Sequence, residues 1–386
     1  MSSENEVGVD LAVIAYRKEA FERRFGCTVR DLMMVRALAS LDRVKRVVLF
    51  ERPDTIQEAA IRVFWPTDNG SKLQRHRKID WDMPGQLIMR RKWTPRSFKL
   101  NEAGLAVWMT DKLPGCRKVL LDFHPTYQPP VSSREGILYW YDMIDNFTKH
   151  NLYDAVERDL VSAKYALVNR HADAVTGVTA QCIEGFARAR VVPNRLLREA
   201  LGSPALTEHT EYDLGFLGFI TNKFDVDFIR RCASLGLKTL ICGHAYDKAT
   251  AAQLSSISGV TMHGGFSAAE SPGLIQKFNV GLVPYLSNRT HDESPIKFFQ
   301  YILSGRPALL SRRFNNIEQT FQQDVGYYPE LSDEQLLEFT KRAANPEIRA
   351  ALATEVAKSP SVFWETAIAD ILQDVMKISA AAAQAN

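Results

Sequence analysis

The 386-residue sequence has no cysteine pair at CxxC spacing; Cys27, Cys116, Cys182, Cys232 and Cys242 are an odd, scattered set. That pattern argues against a zinc site and fits free thiols in a reducing compartment. No apolar run approaches the roughly 20 residues that span a bilayer. The polar, acidic start MSSENEVGVD predicts no signal peptide there, so a cytoplasmic protein is expected, with contact to the inner face of the cell membrane open. Low complexity is confined to the tail SAAAAQAN. Neither half carries GxGxxG after its first strand-like run, which weakens a nicotinamide or flavin reading. A net charge of only +3 gives no sign of a nucleic-acid partner.

What is present is a globular composition, 46% hydrophobic and 24% charged, with unevenly placed charge. RKEAFERRFGCTVR, KLQRHRK and MRRKWTPRSFK all lie in the first hundred residues, two of them with aromatics nearby. Such clusters are either a solvated basic face or a surface attracted to an anionic membrane or a phosphorylated acceptor.

Short apolar runs alternate with helical periodicity, the pattern of parallel α/β sheets. Strands are expected at DLAVIAY, VKRVVLFE, KVLLDFHP, GILYWYDMI and AVTGVT, with helices between them at 29–40 and 152–169. A polar link, VVPNRLLREALGSPALTEHTEYD, precedes a second set at LGFLGFI, LKTLICG, VTMHG, VGLVPY and PALLS, with helices at 227–235, 268–277 and 295–304. The expected architecture is two Rossmann-like domains facing a cleft. A first domain spans 1–198, a second 199–360, and a closing helix and tail at 361–386 return to the first domain. Open parallel sheets bind ligands beyond the carboxyl ends of their strands, so the chemistry is sought there.

Three strand ends in the second half are unusual. One runs into Thr221 and Asn222, one ends in Gly243-His244, where glycine permits close backbone approach, and one leaves at Tyr285. The last continues through Asp292 and Glu293 into HDESPIKFFQ, where Ser294 and Pro295 fit the opening positions of a helix. Its free N–H groups and dipole favour an anion, Lys297 adds a positive charge in the first turn, and Gln300 lies almost a turn onward. The stretch reads as a clamp for diphosphate and ribose. The competing reading makes Lys297 a snorkelling surface lysine and Gln300 a solvated amide. DWD at 80–82 and DVD at 225–227 look superficially like metal motifs, but DVD fits a helix cap and DWD sits in an irregular basic segment. Trp364 reads as a packing anchor.

Taken together, LGFLGFI, LKTLICG, VTMHGGFSAAESPGLIQKFNVGLVPY and SPIKFFQYILSGRPALL resemble, in order and spacing, the nucleotide-sugar domain of GT-B glycosyltransferases of the group 1 or family 4 kind. ADAVTGVTAQCIEGF followed by VVPN resembles the end of their first domain and its hinge; the likeness covers roughly 135–375. IKFFQYILSGRPAL and GLVPY resemble in particular the inverting glucuronosyltransferase of xanthan assembly. By that resemblance Lys297 and Gln300 contact the nucleotide part of a nucleotide-diphosphate sugar, most simply a UDP-sugar, with Tyr285 nearby. Gly265 and Phe266 match the segment that holds the base. Retaining family 4 enzymes carry a glutamate pair where this chain has Asp292 and Gln300, and often His-Asp where it has Ile144-Asp145.

The resemblance therefore implies inversion, with Asp145 as the base that takes the acceptor's proton; Asp142 is the alternative base, and a plain helix cap is the structural alternative for Asp145. His124 in LDFHP, with Arg90, Arg91 and Trp93, is placed on the acceptor side, where a lipid-pyrophosphate or oligosaccharide would be held. No cofactor is implied and no metal is expected, since lysine and helix dipole can carry the leaving group's charge. Competing functions are a retaining family 4 transferase, a non-catalytic scaffold that binds a nucleotide sugar or a partner, and a sugar-nucleotide epimerase.

Overall fold

The computed structural model describes residues 7–26, 28–62, 72–133, 135–201, 209–289, 294–314 and 321–384. The chain separates into two compact units. Unit 1 comprises Met1–Lys18, Asp31–Val192 and Ile368–Asn386; unit 2 comprises Glu19–Arg30 and Pro193–Ala367. The break at Val192/Pro193 lies a few residues before the boundary expected from sequence. The assignment of Glu19–Arg30 to unit 2 had no counterpart in the pattern.

Unit 1 is built on a seven-stranded parallel sheet. Its strands are β1 (Gly8–Ile14), β2 (Val44–Phe50), β3 (Leu73–His76), β4 (Cys116–Asp122), β5 (Ile137–Met143), β6 (Ala174–Gly177) and β7 (Ala189–Val191), in the order β3-β2-β1-β4-β5-β6-β7. β1 lies beside β4 in unbroken register, from Gly8 opposite Cys116 to Ile14 opposite Asp122. Every residue of β1 and β5 is buried, as expected of strands covered on both faces. Asp10, enclosed in the middle of β1, is matched by the Arg46 guanidinium at 2.7 and 2.9 Å and by the Trp108 indole N–H at 3.1 Å. A buried carboxylate is tolerated when its oxygens are so occupied. After β5, the helix Ala155–His171 starts with a reciprocal cap: Asp154 accepts from the Glu157 amide, and Glu157 accepts from the Asp154 amide.

Unit 2 carries a six-stranded parallel sheet: β8 (Tyr212–Leu217), β9 (Thr239–Cys242), β10 (Val260–Gly264), β11 (Phe278–Val283), β12 (Ala308–Leu310) and β13 (Val325–Tyr327), in the order β10-β9-β8-β11-β12-β13. Each sheet therefore changes direction of winding once, between β1 and β4 in unit 1 and between β8 and β11 in unit 2. At such a reversal the flanking connections part on opposite faces and leave a crevice beyond the carboxyl ends. Strands β3, β7 and β13, of four, three and three residues, were not expected from sequence. All three are edge strands, where backbone pairing rather than an apolar run defines the strand. The helix expected over 268–277 is shorter, Ser271–Ile275, with Pro272 in its first turn. Among the described residues no helix is long and apolar enough to cross a membrane.

Candidate functional site

The quoted helix spans Ile296–Leu303 and is fixed from below: Phe298, Tyr301 and Ile302 are fully buried, and the Tyr301 hydroxyl accepts from the Leu217 amide at 2.9 Å. This bond ties the helix to the last residue of β8. The cap residue is Pro295, which offers no side-chain acceptor, so the first-turn amides lack the usual side-chain partner. Ser294, the cap expected from sequence, does not fill that role; it is only 9% exposed and its Oγ has no hydrogen-bond partner among the described residues. Its carbonyl accepts from the Asn194 amide group at 2.6 Å, and Asn194 in turn accepts from buried Arg30 at 3.2 Å. Asp292 and Glu293 lie outside the described residues.

Lys297 is not a side chain loose in solvent. It is half-buried; its ammonium donates to the Tyr285 hydroxyl and lies 4.8 Å from the Phe216 ring centre and 4.6 Å from that of Tyr285. Both rings attract the cation through their faces. Phe216 belongs to β8 and Tyr285 follows β11, so the ammonium is held at the winding reversal of the second sheet. Gln300, one turn on, is likewise half-buried.

Two glycines shape the ground around that lysine. Gly218, just past β8, has φ 146°, and a Cβ there would come within 2.9 Å of the Lys297 Cε. Gly243, just past β9, has φ 151°, and a Cβ there would fall 1.7 Å from the Gly218 carbonyl oxygen. The strand ends are also laced together: the Gly218 amide donates to Cys242 at 3.0 Å and the Gly243 amide to Gly264 at 2.7 Å. Gly265 is different, since a Cβ built on it meets nothing within 4 Å. Phe266 beside it is buried. Thr221 and Asn222 sit in the turn after β8, where the Thr221 carbonyl accepts from Phe224 and the Asn222 carbonyl accepts from Arg289.

The surface formed by these ends is partly covered by the helix Glu19–Phe25. Phe25 packs against Phe219 at 5.4 Å, against His244 at 5.4 Å and against Tyr246 at 6.2 Å, and Phe21 lies 5.6 Å from Phe219. At Gly26 a Cβ would meet the Phe266 carbonyl at 2.4 Å. Sequence reading took this segment for part of a basic cluster. The i, i+4 pair Phe21/Phe25 followed by Gly26 was the available signal, but it does not say which sheet it covers.

In unit 1 the strand-end residues take distinct roles. Asp142 is fully buried in β5 and accepts from the Thr176 hydroxyl at 2.6 Å, which itself accepts from the Trp140 indole. Asp145 lies beyond the strand and is half-buried; its Oδ1 accepts from the Asn146 amide at 2.8 Å. The cap alternative for Asp145 is not what is found, because Asn146 caps the short turn Phe147–Lys149 and Asp154 caps the long helix. His124, at the end of β4, is 2% exposed, and its Nδ1 accepts from the amides of Thr126 and Tyr127 at 3.2 and 2.9 Å. Burial, with Lys164 and Arg17 adding to it, pushes its pKa well below the ordinary range. A neutral ring with Nδ1 so occupied keeps its proton on Nε2 and has no lone pair to accept another. His124 is thus a donor.

Beneath it, Lys164 and Asp122 form a fully buried ion pair; Lys164 also donates to the Tyr127 carbonyl at 2.6 Å, and Tyr139 donates to Asp122 at 2.9 Å. Arg91 is exposed, paired with Glu157 at 3.0 Å, while the Arg90 side chain lies outside what is described. Trp93, expected to meet an acceptor, is 4% exposed beneath the Arg52 guanidinium, so it packs the turn instead of offering a ring to a ligand. Asp225 of DVD caps the helix Val226–Ser234 at the Phe228 amide, and Asp80 of DWD is buried and accepts from the Asp82 amide. Among the described residues no three His, Cys, Asp or Glu side chains gather as metal ligands. Trp364 is fully buried, with the Arg30 and Arg195 guanidinium groups 5.1 and 5.6 Å from its ring centre.

No protein-family model and no curated protein sequence matches the chain. Solved structures do. A sucrose-phosphate synthase from Thermosynechococcus elongatus aligns with TM-score 0.65 at 12% identity, over 96% of this chain and 99% of that one. AviGT4, a glycosyltransferase involved in avilamycin A biosynthesis, aligns with TM-score 0.60 at 12% identity, over 96% and 98%. An E. coli trehalose-6-phosphate structure bound with UDP-2-fluoro glucose gives 0.59 at 9% identity, over 95% and 98%. The chain has the two-unit parallel α/β fold of GT-B glycosyltransferases.

Proposed function

We propose that this protein transfers a sugar from a nucleotide-diphosphate donor, with the donor held at the winding reversal of unit 2. The observation that carries the reading is the Lys297 ammonium, gripped by Tyr285 and Phe216 beside a helix start without a side-chain cap and the Ser294 hydroxyl, which has no partner among the described residues. Fixed positive charge at that point would bind the diphosphate and stabilise the charge that builds on it as the bond between its oxygen and the sugar's anomeric carbon breaks. Gly265 and Phe266 would border the base, and Gln300 the ribose. The fold shared with glycosyltransferases, one of them bound with a UDP-sugar analogue, supports UDP as the nucleotide. We assign transfer with inversion, Asp145 accepting the acceptor's proton. Asp142 is sealed within its strand and His124 has no free lone pair, which leaves Asp145 as the strand-end candidate. The sequence resemblance extends the proposal to a hexose or uronic acid passed to a lipid-linked or polysaccharide acceptor at the inner face of the cell membrane, without a metal.

Calorimetric titration with UDP and UDP-sugars tests the donor site. Wild type should bind, and Lys297→Ala should weaken binding by about tenfold to a hundredfold, the range of a lost charge-assisted contact. Equal binding by both proteins would remove the site. Asp145→Asn should bind UDP as wild type does yet lose turnover; retained turnover would remove the base. The anomeric configuration of the product, read by NMR, separates inversion from retention.

A further inference from the structure

The most exposed apolar side chains of the described chain occur together in one short stretch. Trp81 is 71% exposed, Leu87 68% and Ile88 80%, with Met83 and Met89 also exposed beside them. Large apolar groups at such exposure are ordinary when scattered; five within nine residues form a ridge that marks a binding surface. The ridge is held in shape. Asp80 accepts from the Asp82 amide at 2.8 Å, Asp82 from the Gly85 amide at 3.0 Å, and the Gln86 side chain donates to the Asp80 carbonyl at 2.7 Å. Buried Trp93 anchors the turn from inside. The side chains are therefore presented outward by a fixed backbone.

The surrounding charge identifies the partner. Residues 72–100 contain nine lysines and arginines against two aspartates, whereas the whole chain nets only +3. Of these, Arg75, Arg91 and Lys92 are paired with Glu51, Glu157 and Asp154, while Lys78, Arg96 and Lys99 are exposed in the same segment. A second copy would bring the same positive field against its own, which disfavours pairing of ridge with ridge. A surface that is apolar inside and anionic at its face complements both features at once. Tryptophan and long aliphatic side chains partition to the boundary between headgroup and acyl chain, and each nearby lysine or arginine adds attraction to anionic lipid.

We propose that the Trp81–Met89 ridge inserts into the face of a bilayer containing anionic lipid and seats unit 1 on it. The inference does not depend on sugar transfer, and its test uses no nucleotide. Co-sedimentation of the full chain with phosphatidylcholine vesicles is compared with vesicles containing about one third phosphatidylglycerol. The expected result is partition to the anionic vesicles that falls as salt rises through the range where exposed charges are screened. Leu87→Glu/Ile88→Glu should lower it at least tenfold.

A second readout keeps the wild-type surface intact. The fluorescence difference between wild type and Trp81→Phe should shift to the blue on adding anionic vesicles, as the exposed indole leaves water. Absence of wild-type partition to either vesicle would overturn the proposal, as would equal partition of the double variant. A dimer of the wild-type chain that the double variant abolishes would reassign the ridge to self-association.

Discussion

Gly243 and Gly265 separate a glycine needed by the fold from a glycine proposed to border the donor's base. At Gly243 an alanine would place its Cβ 1.7 Å from the Gly218 carbonyl oxygen, against a floor of 3.0 Å for real contacts, a shortfall of 1.3 Å. Both partners are backbone at laced strand ends, so no side chain can rotate away. The φ of 151° adds about 1–3 kcal/mol of conformational strain for any residue with a Cβ. Forcing the strands apart adds about 1–3 kcal/mol more. The expected loss for Gly243→Ala is thus about 2–6 kcal/mol, a large part of the roughly 5–15 kcal/mol that holds a typical protein folded. Any displacement of Gly218 also moves the floor beneath Lys297, so UDP binding should fall with stability.

Gly265→Ala meets open space and should change stability by less than about 1 kcal/mol, through the unfolded chain alone. If Gly265 borders the base, the same methyl should weaken UDP binding while the protein stays as stable as wild type. Urea unfolding and calorimetric titration of both variants decide the matter. A Gly243→Ala protein of wild-type stability would refute the packing argument. A Gly265→Ala protein of wild-type affinity would take Gly265 out of the donor site.

Removing one partner of the enclosed Lys164–Asp122 pair strands a charge. Lys164→Ala should cost about 3–5 kcal/mol in urea unfolding, and Asp122→Asn/Lys164→Met should cost less than that single change. Burial alone would raise the pKa of Glu58, but Arg52 and Lys18 outweigh it and hold the group at about 2. Its folded value is thus depressed, so its contribution is complete above pH 4.5 and is lost as pH falls from there through about 2. Lys18, lowered to about 8 by burial and by Arg52, stays charged across that window. The thermal-midpoint advantage of wild type over Glu58→Gln should shrink over the same pH range, and an advantage independent of pH would contradict the pairing.

The sequence alone determined the class of the fold and most of its strands. Continuous apolar runs such as GILYWYDMI and FNVGLVPY admit little but buried parallel strands when helical stretches alternate with them. Glycines and prolines marked their ends, so the stretch Ser294–Gln300 was legible as a helix entrance. Three things were left to the tertiary structure. Asp142 and Asp145 are three residues apart and chemically alike, and only the position of β6, which brings Thr176 onto Asp142, separates a sealed carboxylate from one beyond the strand. Trp93 and Trp81 lie in one basic segment, yet one is enclosed beneath the Arg52 guanidinium and the other is bare. The helix Glu19–Phe25 follows β1 of unit 1 in sequence but packs within unit 2. Periodicity reports which face of an element avoids water. It carries no information about which partner, distant along the chain, will cover that face, and burial, hydrogen bonding and charge at each of these residues depend on that partner.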